Sequence, residues 1–390
     1  MNRYLLLLLS LCLLVISCNN NDLPILEIET KETIQWVYKI PCNIRYIDDG
    51  SSKEFKASIK SRGGSSKRFF KHSYRIEFNN KIGLANLPKD NDWILNASYI
   101  DKTFMRHKIC YDIFKQMNPQ NIAAKSSYVE TYVNGEYKGL YLLMEKVNAS
   151  MIGLDKSDSM SMLFKDPPVF IQEQLSYVED STNYYEQKFP KISDQDFSTV
   201  LDSFKNFLFY SSDSVFAAQI EQWVVLENII DWQLILLFSN NSDGLLKNFY
   251  LYKKNKQTPF QIAIWDYDHS FGRDGDNELN LHERVINCDR SILFKRLASI
   301  EVLQYENLLK KRWTQLRSSN IISLDHFIEL QQQNDKLISK YIKKNEKLWP
   351  HNSTFYFDDN SYDKELEIMR SFVQQRIVML DKRFDFPEHK

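Results

Sequence analysis

Residues 239–272 contain Ser239-Asn240-Asn241-Ser242-Asp243-Gly244-Leu245-Leu246-Lys247-Asn248-Phe249-Tyr250-Leu251-Tyr252-Lys253 and, beyond a turn, Phe260-Gln261-Ile262-Ala263-Ile264-Trp265-Asp266-Tyr267-Asp268-His269-Ser270-Phe271-Gly272. Asn248 to Lys253 alternates aromatic and aliphatic with polar residues, Lys254 to Pro259 has turn composition, and Phe260 to Trp265 has strand composition. The segment is therefore expected to form a β-hairpin. Antiparallel arms paired about that turn bring Asn248, at the start of the first, next to Asp266, at the end of the second. Asp266 and Asp268 are two residues apart and share one side if the chain stays extended. Asp243 lies in the polar loop just before, so three carboxylates and an amide converge at one end of one hairpin.

Like charges this close repel unless a cation or a proton sits between them. Hard oxygen ligands with no Cys or His among them suit Mg²⁺ or Mn²⁺, which bind through one or two carboxylates and then hold substrate phosphates. The spacing Asp-x-x-x-x-Asn, then a hairpin, then an Asp just ahead of Phe-Gly, is the order of parts in a protein-kinase catalytic loop and metal loop. In that scheme Asp243 orients the attacking hydroxyl and accepts its proton, while Asn248 and Asp266 or Asp268 hold the metal that bridges the nucleotide phosphates. An isolated Asp-x-Asp is more often a solvated acidic loop, so the rest of the chain must carry the reading.

The chain of 390 residues has room for two lobes or domains, and 43% hydrophobic with 26% charged residues is the composition of a folded protein. A net charge of −1 gives no argument for a polyanionic partner, so nucleic acid is not expected. Met1-Asn2-Arg3 supplies a positive start, Tyr4 to Ile16 an apolar core of signal-peptide length, and Val15-Ile16-Ser17-Cys18 resembles a bacterial lipobox. Residues 1–18 are expected to be a lipoprotein signal peptide, cleaved before Cys18 with lipid on its thiol, and residues 19–25 a polar tether. The body would then be exported and lipid-anchored to the cell envelope, touching membrane through the anchor only, since no later stretch is apolar enough to span a bilayer. Of five cysteines, Cys42, Cys110 and Cys288 remain beyond the leader. They lack Cys-x-x-Cys spacing, which argues against zinc, and read as small buried hydrophobes.

From Leu26 to Phe78 the pattern is strand-like and leads to Ser61-Arg62-Gly63-Gly64-Ser65-Ser66. A glycine pair with hydroxyls between two strands serves as a plain hairpin turn or wraps phosphate with backbone N–H groups. In the following strand, Lys71 to Phe78, Tyr74, Ile76 and Phe78 fill the buried face and cations flank the glycines. A kinase-type site sets a lysine or arginine against the phosphates; Arg62, Lys71 and Arg75 are the candidates, and sequence does not choose among them. A helix over Thr103–Met117 follows, then strands Tyr128–Val133 and Leu140–Glu145 joined through Asn134-Gly135. Residues 148–190 read as an irregular connection with an inserted hairpin. Helices dominate thereafter, at Phe197–Phe209, Ala217–Phe238, Ser291–Ala298, Val302–Leu316, Leu324–Tyr341 and Lys364–Arg383. Glu227 and Asp231 make Ala217–Phe238 a buried core helix rather than a membrane span.

With these residues in view the chain resembles the CotH kinase family, secreted kinases akin to spore coat protein H, over roughly Phe55 to Phe384. The blocks occur in order: Ser61-Arg62-Gly63-Gly64-Ser65-Ser66 with Lys71-His72-Ser73-Tyr74-Arg75-Ile76-Glu77-Phe78, Asp92-Trp93-Ile94-Leu95, Asp101-Lys102-Thr103-Phe104-Met105-Arg106, Asn134-Gly135-Glu136-Tyr137-Lys138-Gly139-Leu140-Tyr141, and Trp265-Asp266-Tyr267-Asp268 with Phe271-Gly272. The resemblance implies an α+β, two-lobed atypical protein-kinase-like fold, with a β-rich N-lobe at 26–147 and a mainly helical C-lobe at 148–388 carrying the hairpin of 239–272. It implies ATP with Mg²⁺ or Mn²⁺, and transfer of the γ-phosphate to serine or threonine of an exported protein. Carried over, Asp243 is the catalytic Asp, Asn248 and Asp266 are metal ligands with Asp268 as a rival, and the Gly63-Gly64 loop covers the phosphates. Arg62, Ser65, Lys71 and Arg75 surround that loop, and Glu145 falls near the adenine-side linker. No His-Arg precedes Asp243 and no Ala-Pro-Glu follows; Asn240-Asn241-Ser242 stands there instead. A second class is a non-catalytic surface lipoprotein using the same fold to bind envelope polymers or partner proteins. A third, a sugar-nucleotide transferase built on Asp266-x-Asp268, needs a doubly wound pattern where the early chain has hairpins.

Overall fold

The computed structural model describes residues 22–171, 186–273, 281–353 and 356–387; Cys18, the leader and the first residues of the tether lie outside them. Alternation of apolar and polar residues builds the first half. Strands β1 (Ile25–Glu29), β2 (Ile40–Asp48), β3 (Ser51–Arg62), β4 (Ser73–Ile82) and β5 (Asp90–Asn96) precede helix α1 (Arg106–Met117), and β6 (Ser126–Val133) and β7 (Glu136–Glu145) follow it. They close a barrel in the order β1-β2-β3-β4-β5-β7-β6, in which the parallel pairing of β1 with β6 is the closing seam. Leu26, Ile44, Ile59, Ile76, Trp93 and Tyr141 point inward and fill it.

Two strands are buried on both faces, and they mark where the barrel meets the rest. On β7 Tyr141 and Leu143 enter the barrel core, whereas Leu140, Leu142 and Met144 pack into the helical core; on β5 Trp93 and Leu95 face in while Ile94 faces out. That explains why Leu140–Glu145 reads as an unbroken buried run rather than an alternation.

The second half comprises a short α2 (Ala149–Ile152), β8 (Met162–Lys165), β9 (Glu186–Phe189), α3 (Ser198–Tyr210), α4 (Asp213–Trp223), α5 (Leu226–Ser239), β10 (Phe249–Lys253), β11 (Gln261–Ile264), α6 (Ile292–Ser299), α7 (Tyr305–Ser318), α8 (Leu324–Leu348) and α9 (Tyr362–Arg383). The expected hairpin is β10–β11, with Phe249 opposite Ile264, but it is half of a four-stranded sheet ordered β11-β10-β8-β9.

Several expected elements differ, among them the helix expected from Val302, which begins at Tyr305. The single helix of Ala217–Phe238 is two, because Val224 and Val225 take extended dihedrals and bridge Phe260: Phe260 N–H donates to Trp223 O at 2.8 Å and Val225 N–H to Phe260 O at 2.9 Å. The helix expected from Thr103 begins at Arg106, since Asp101 accepts hydrogen bonds from the N–H groups of Thr103 and Arg106 and holds the preceding turn open. Helix α8 runs seven residues past Tyr341. No helix among the described residues is long and apolar enough to cross a membrane. Cys42 and Cys110 are buried, Cys288 is only partly so, and all three are free.

Helix α5 is buried from Asn228 to Ser239, which leaves Asp231 fully inside. It is matched there by Arg312 Nε at 2.7 Å, Arg312 Nη2 at 3.1 Å and Asn121 Nδ2 at 2.9 Å. Asp231→Ala strands those donors and is expected to lower the unfolding free energy by about 3 kcal/mol in urea titrations. A loss below about 1 kcal/mol would mean that the pair is no more than a surface ion pair in strength.

Candidate functional site

The end of β3, the turn after it, the segment after β5 and the open end of the β10–β11 hairpin enclose a cavity of about 690 Å³. Asp243, Asn248, Asp266 and Asp268 all line it, as do Arg62, Gly63, Gly64 and Lys71. A larger hollow of about 930 Å³ lies on the barrel beside Thr30, Cys42, Lys56 and Asn134, away from all of these residues.

The hairpin sets the acids. Trp265 N–H donates to Asn248 O at 3.0 Å, and Asn248 Nδ2 donates to Asp266 O at 3.4 Å, which leaves Asn248 Oδ1 as a ligand atom. Both Asn248 and Asp266 are left-handed, at φ 62° and 60°. Non-glycine residues hold that conformation only where the surroundings over-determine it. Asp243 sits in a single 3₁₀ turn after α5, its carboxylate 3.0 Å from Lys247 Nζ. Asn241 ties this turn to the hairpin: its Oδ1 accepts the Gly244 N–H at 2.9 Å and its Nδ2 donates to Asp266 O at 3.4 Å. A side chain at Gly244 would strike Leu236 and the Tyr267 hydroxyl, so glycine is what allows the close approach.

Asp266 lines the cavity with 48% of its side chain still exposed. Desolvation by the surrounding protein, followed by repulsion from Asp268, pushes its carboxyl above the usual carboxylate range, against the opposing pull of His107 and Arg62. His107 was not among the sequence candidates. It comes from α1, and its Nε2 lies 3.7 Å from Asp266 Oδ1 and 3.9 Å from Asp268 Oδ2. Two carboxylates and one amide oxygen opening into one cavity are a donor set that fits Mg²⁺ or Mn²⁺. The three side chains His107, Asp266 and Asp268 also lie close enough to surround one ion. A sequence signal for His107 existed in the α1 pattern, which puts it on a face with Tyr111, but nothing in spacing connects α1 to residue 266.

The cations divide. Arg62 borders the cavity with its guanidinium 5.6 Å from the Trp265 ring centre, and Lys165 and Lys247 also line it. Lys71 borders it too, but its amine is buried and turned aside, donating to Leu140 O, to Ala97 O at 3.0 Å and to Asn345 Oδ1 at 3.1 Å. Burial pulls that amine well below the usual lysine range. Arg75 is not at the cavity: it faces the outside of the barrel, where its Nη2 meets Asp92 Oδ2 at 2.6 Å. The strand period explains this, because Tyr74 and Ile76 point inward and Arg75 must point out. Glu145 is not there either; it lies at the end of β7 and accepts the Lys125 N–H at 2.8 Å, its carboxyl raised by burial. In the glycine turn Gly63 has φ 128°, and a Cβ there would collide with Ser66 Oγ. The backbone of Ser65 begins the 3₁₀ turn Ser65–Arg68.

A sequence model of the CotH kinase protein family matches residues 59–380. Inner spore coat protein H of Bacillus subtilis (strain 168) is 24% identical over 233 residues, covering 57% of this chain and 61% of its own length. The chain thus spans about three-fifths of that curated relative.

With Asp266 raised, ionising it costs the folded protein stability as pH climbs from the ordinary carboxylate value through the raised one. Metal-free Asp266→Asn is therefore expected to melt at or above the wild type at about pH 8, the difference shrinking toward about pH 3, where the acid is largely protonated in both states. Added Mn²⁺ is expected to raise the melting temperature of the wild type more than that of the variant. A metal-free variant that melts lower at the higher pH contradicts the crowding of Asp266.

Proposed function

The chain belongs to the CotH kinase protein family, and from that premise we propose that it is a two-lobed atypical kinase that transfers the γ-phosphate of ATP to serine or threonine of exported proteins. The observation that carries the reading is that Asp243, Asn248, Asp266, Asp268 and the Gly63-Gly64 turn line one cavity, although they come from opposite halves of the chain.

A bound Mg²⁺ or Mn²⁺ ion would neutralise phosphate charge. Asp266 and Asp268 supply carboxylates and Asn248 its Oδ1 to hold it. The backbone at Gly63 and Gly64 covers the phosphates at a turn where no Cβ intrudes, and Arg62 places a fixed positive charge beside them. Asp243 orients the acceptor hydroxyl and takes its proton, with Lys247 Nζ 3.0 Å from its carboxylate. Positioning and charge neutralisation would supply most of the rate. The leader-like residues 1–18 and the spore-coat name of the relative support export, and the quartet ending at Cys18 supports a lipid anchor.

One observation favours a second reading, a non-catalytic module on the same fold that binds envelope polymers or partner proteins. The Lys71 amine is held by three neutral oxygens and does not face the phosphate region. Incubation of the purified protein with labelled ATP, Mn²⁺ and candidate exported proteins separates the two. The kinase reading expects labelled serine or threonine, and a loss of at least about 100-fold in Asp243→Ala with the fold intact by circular dichroism. Full transfer by folded Asp243→Ala would overturn the assignment; ATP binding without any transfer would favour the second reading.

A further inference from the structure

Helix α1 presents His107 and Tyr111, four residues and one turn apart on one face, and both are buried. Each catches a backbone N–H of the acid turn. Asp266 N–H donates to Tyr111 Oη at 2.8 Å, and the next N–H, that of Tyr267, donates to His107 Nδ1 at 3.1 Å. The neighbouring Arg106 donates from Nε to Ser270 O at 3.0 Å, at the far end of the same turn. Five residues of backbone are thus gripped at three points by one helix, and the left-handed Asp266 lies inside the grip.

The direction of these bonds settles the role of the histidine. A backbone N–H cannot reverse, so Nδ1 is the acceptor and its lone pair is not open to a cation. Nε2 meets Asn96 Nδ2 at 3.0 Å, closer than Asp266 Oδ1 at 3.7 Å and Asp268 Oδ2 at 3.9 Å, and Asn96 Oδ1 is itself taken by the Ser98 N–H at 2.9 Å. The Asn96 amide thus occupies Nε2 at hydrogen-bond distance, as the Tyr267 N–H occupies Nδ1, and neither ring nitrogen is left open to a cation. His107 therefore lies within reach of an ion without being a ligand to it.

We propose that His107 and Tyr111 are positioning residues, which hold the backbone of Asp266 and Tyr267 so that an all-oxygen set of Asp266, Asp268 and Asn248 receives the metal. The inference rests on the kinase reading of the cavity for the presence of a metal, but it adds which residues shape the site and which do not bind. Oxygen-only ligation selects hard cations such as Mg²⁺ and Mn²⁺ and discriminates against Zn²⁺, which a ligating imidazole would favour.

The test is electron spin echo spectroscopy of the wild-type protein loaded with Mn²⁺ and ATP, together with Mn²⁺ titrations of Tyr111→Phe and His107→Gln. The wild type is expected to show no nitrogen coupling that His107→Gln removes. Folded Tyr111→Phe is expected to bind Mn²⁺ about tenfold more weakly and to lose kcat with the acceptor KM unchanged, as loosened supports of metal ligands do. A histidine coupling in the wild type that His107→Gln abolishes overturns the proposal, as does a folded Tyr111→Phe whose Mn²⁺ affinity is unchanged. If Tyr111→Phe does not fold, the wild-type spectrum decides alone. Wild-type protein that binds no Mn²⁺ at all overturns the reading of the cavity, and this inference falls with it.

Discussion

Two carboxylates that repel each other, Asp266 and Asp268, are held on one short turn at the mouth of a hairpin, and the protein spends much of its interior on keeping that turn in place. Left alone, such a pair would separate or take up a proton. Here the backbone between them is anchored to α1, and Asn241 and Asn248 both donate to the carbonyl of Asp266. The anchor is itself anchored. Arg106 is fully buried between Asp101 at 2.6 Å and Glu365 at 2.9 Å, and Glu365 also meets Arg273 Nε at 3.3 Å just beyond the acid turn. Buried ion pairs contribute little net stability, because desolvation offsets most of their attraction. What they provide is a single arrangement: the start of α1, the end of the acid turn and the start of α9 must lie where these charges meet.

The barrel supplies the other wall. Its closure by β1 against β6 leaves no free edge, and its β5 and β7 bury their outer faces in the helical core. Lys71 stitches the same junction. Its amine joins carbonyls beside β5 and on β7 to Asn345 of α8, and Asn345 in turn accepts the Leu140 N–H. Lys71, one of the three candidate cations, thus fixes one wall of the cavity, and Arg62 is the arginine that borders the space.

Much of this was legible in the residues. The β10–β11 hairpin, the approach of Asn248 to Asp266 and most helices followed from alternation, turn composition and apolar spacing. The inward face of β4 followed as well, and with it the outward direction of Arg75. The closing seam of the barrel was not legible, because a parallel pairing of β1 with β6 joins strands a hundred residues apart and leaves no local mark. Nor was the break at Val224, where two β-branched residues sit in an apolar run that suits a helix as well as a strand. His107 and Tyr111 escaped for a related reason. Their i, i+4 spacing reads as an ordinary packed face, and only the fold shows that the face meets the N–H groups of residues 266 and 267.

The account depends on a cation being drawn to those two acids and the adjoining amide. The most direct measurement is anomalous diffraction at the manganese edge from crystals grown with Mn²⁺ and a non-hydrolysable ATP analogue. A manganese peak within coordination distance of the carboxylate oxygens of Asp266 and Asp268 and of Asn248 Oδ1, with the analogue's phosphates completing its shell beneath Gly63 and Gly64, is the predicted result. An ordered analogue elsewhere on the protein, or manganese bound without any oxygen from these three residues, would contradict it.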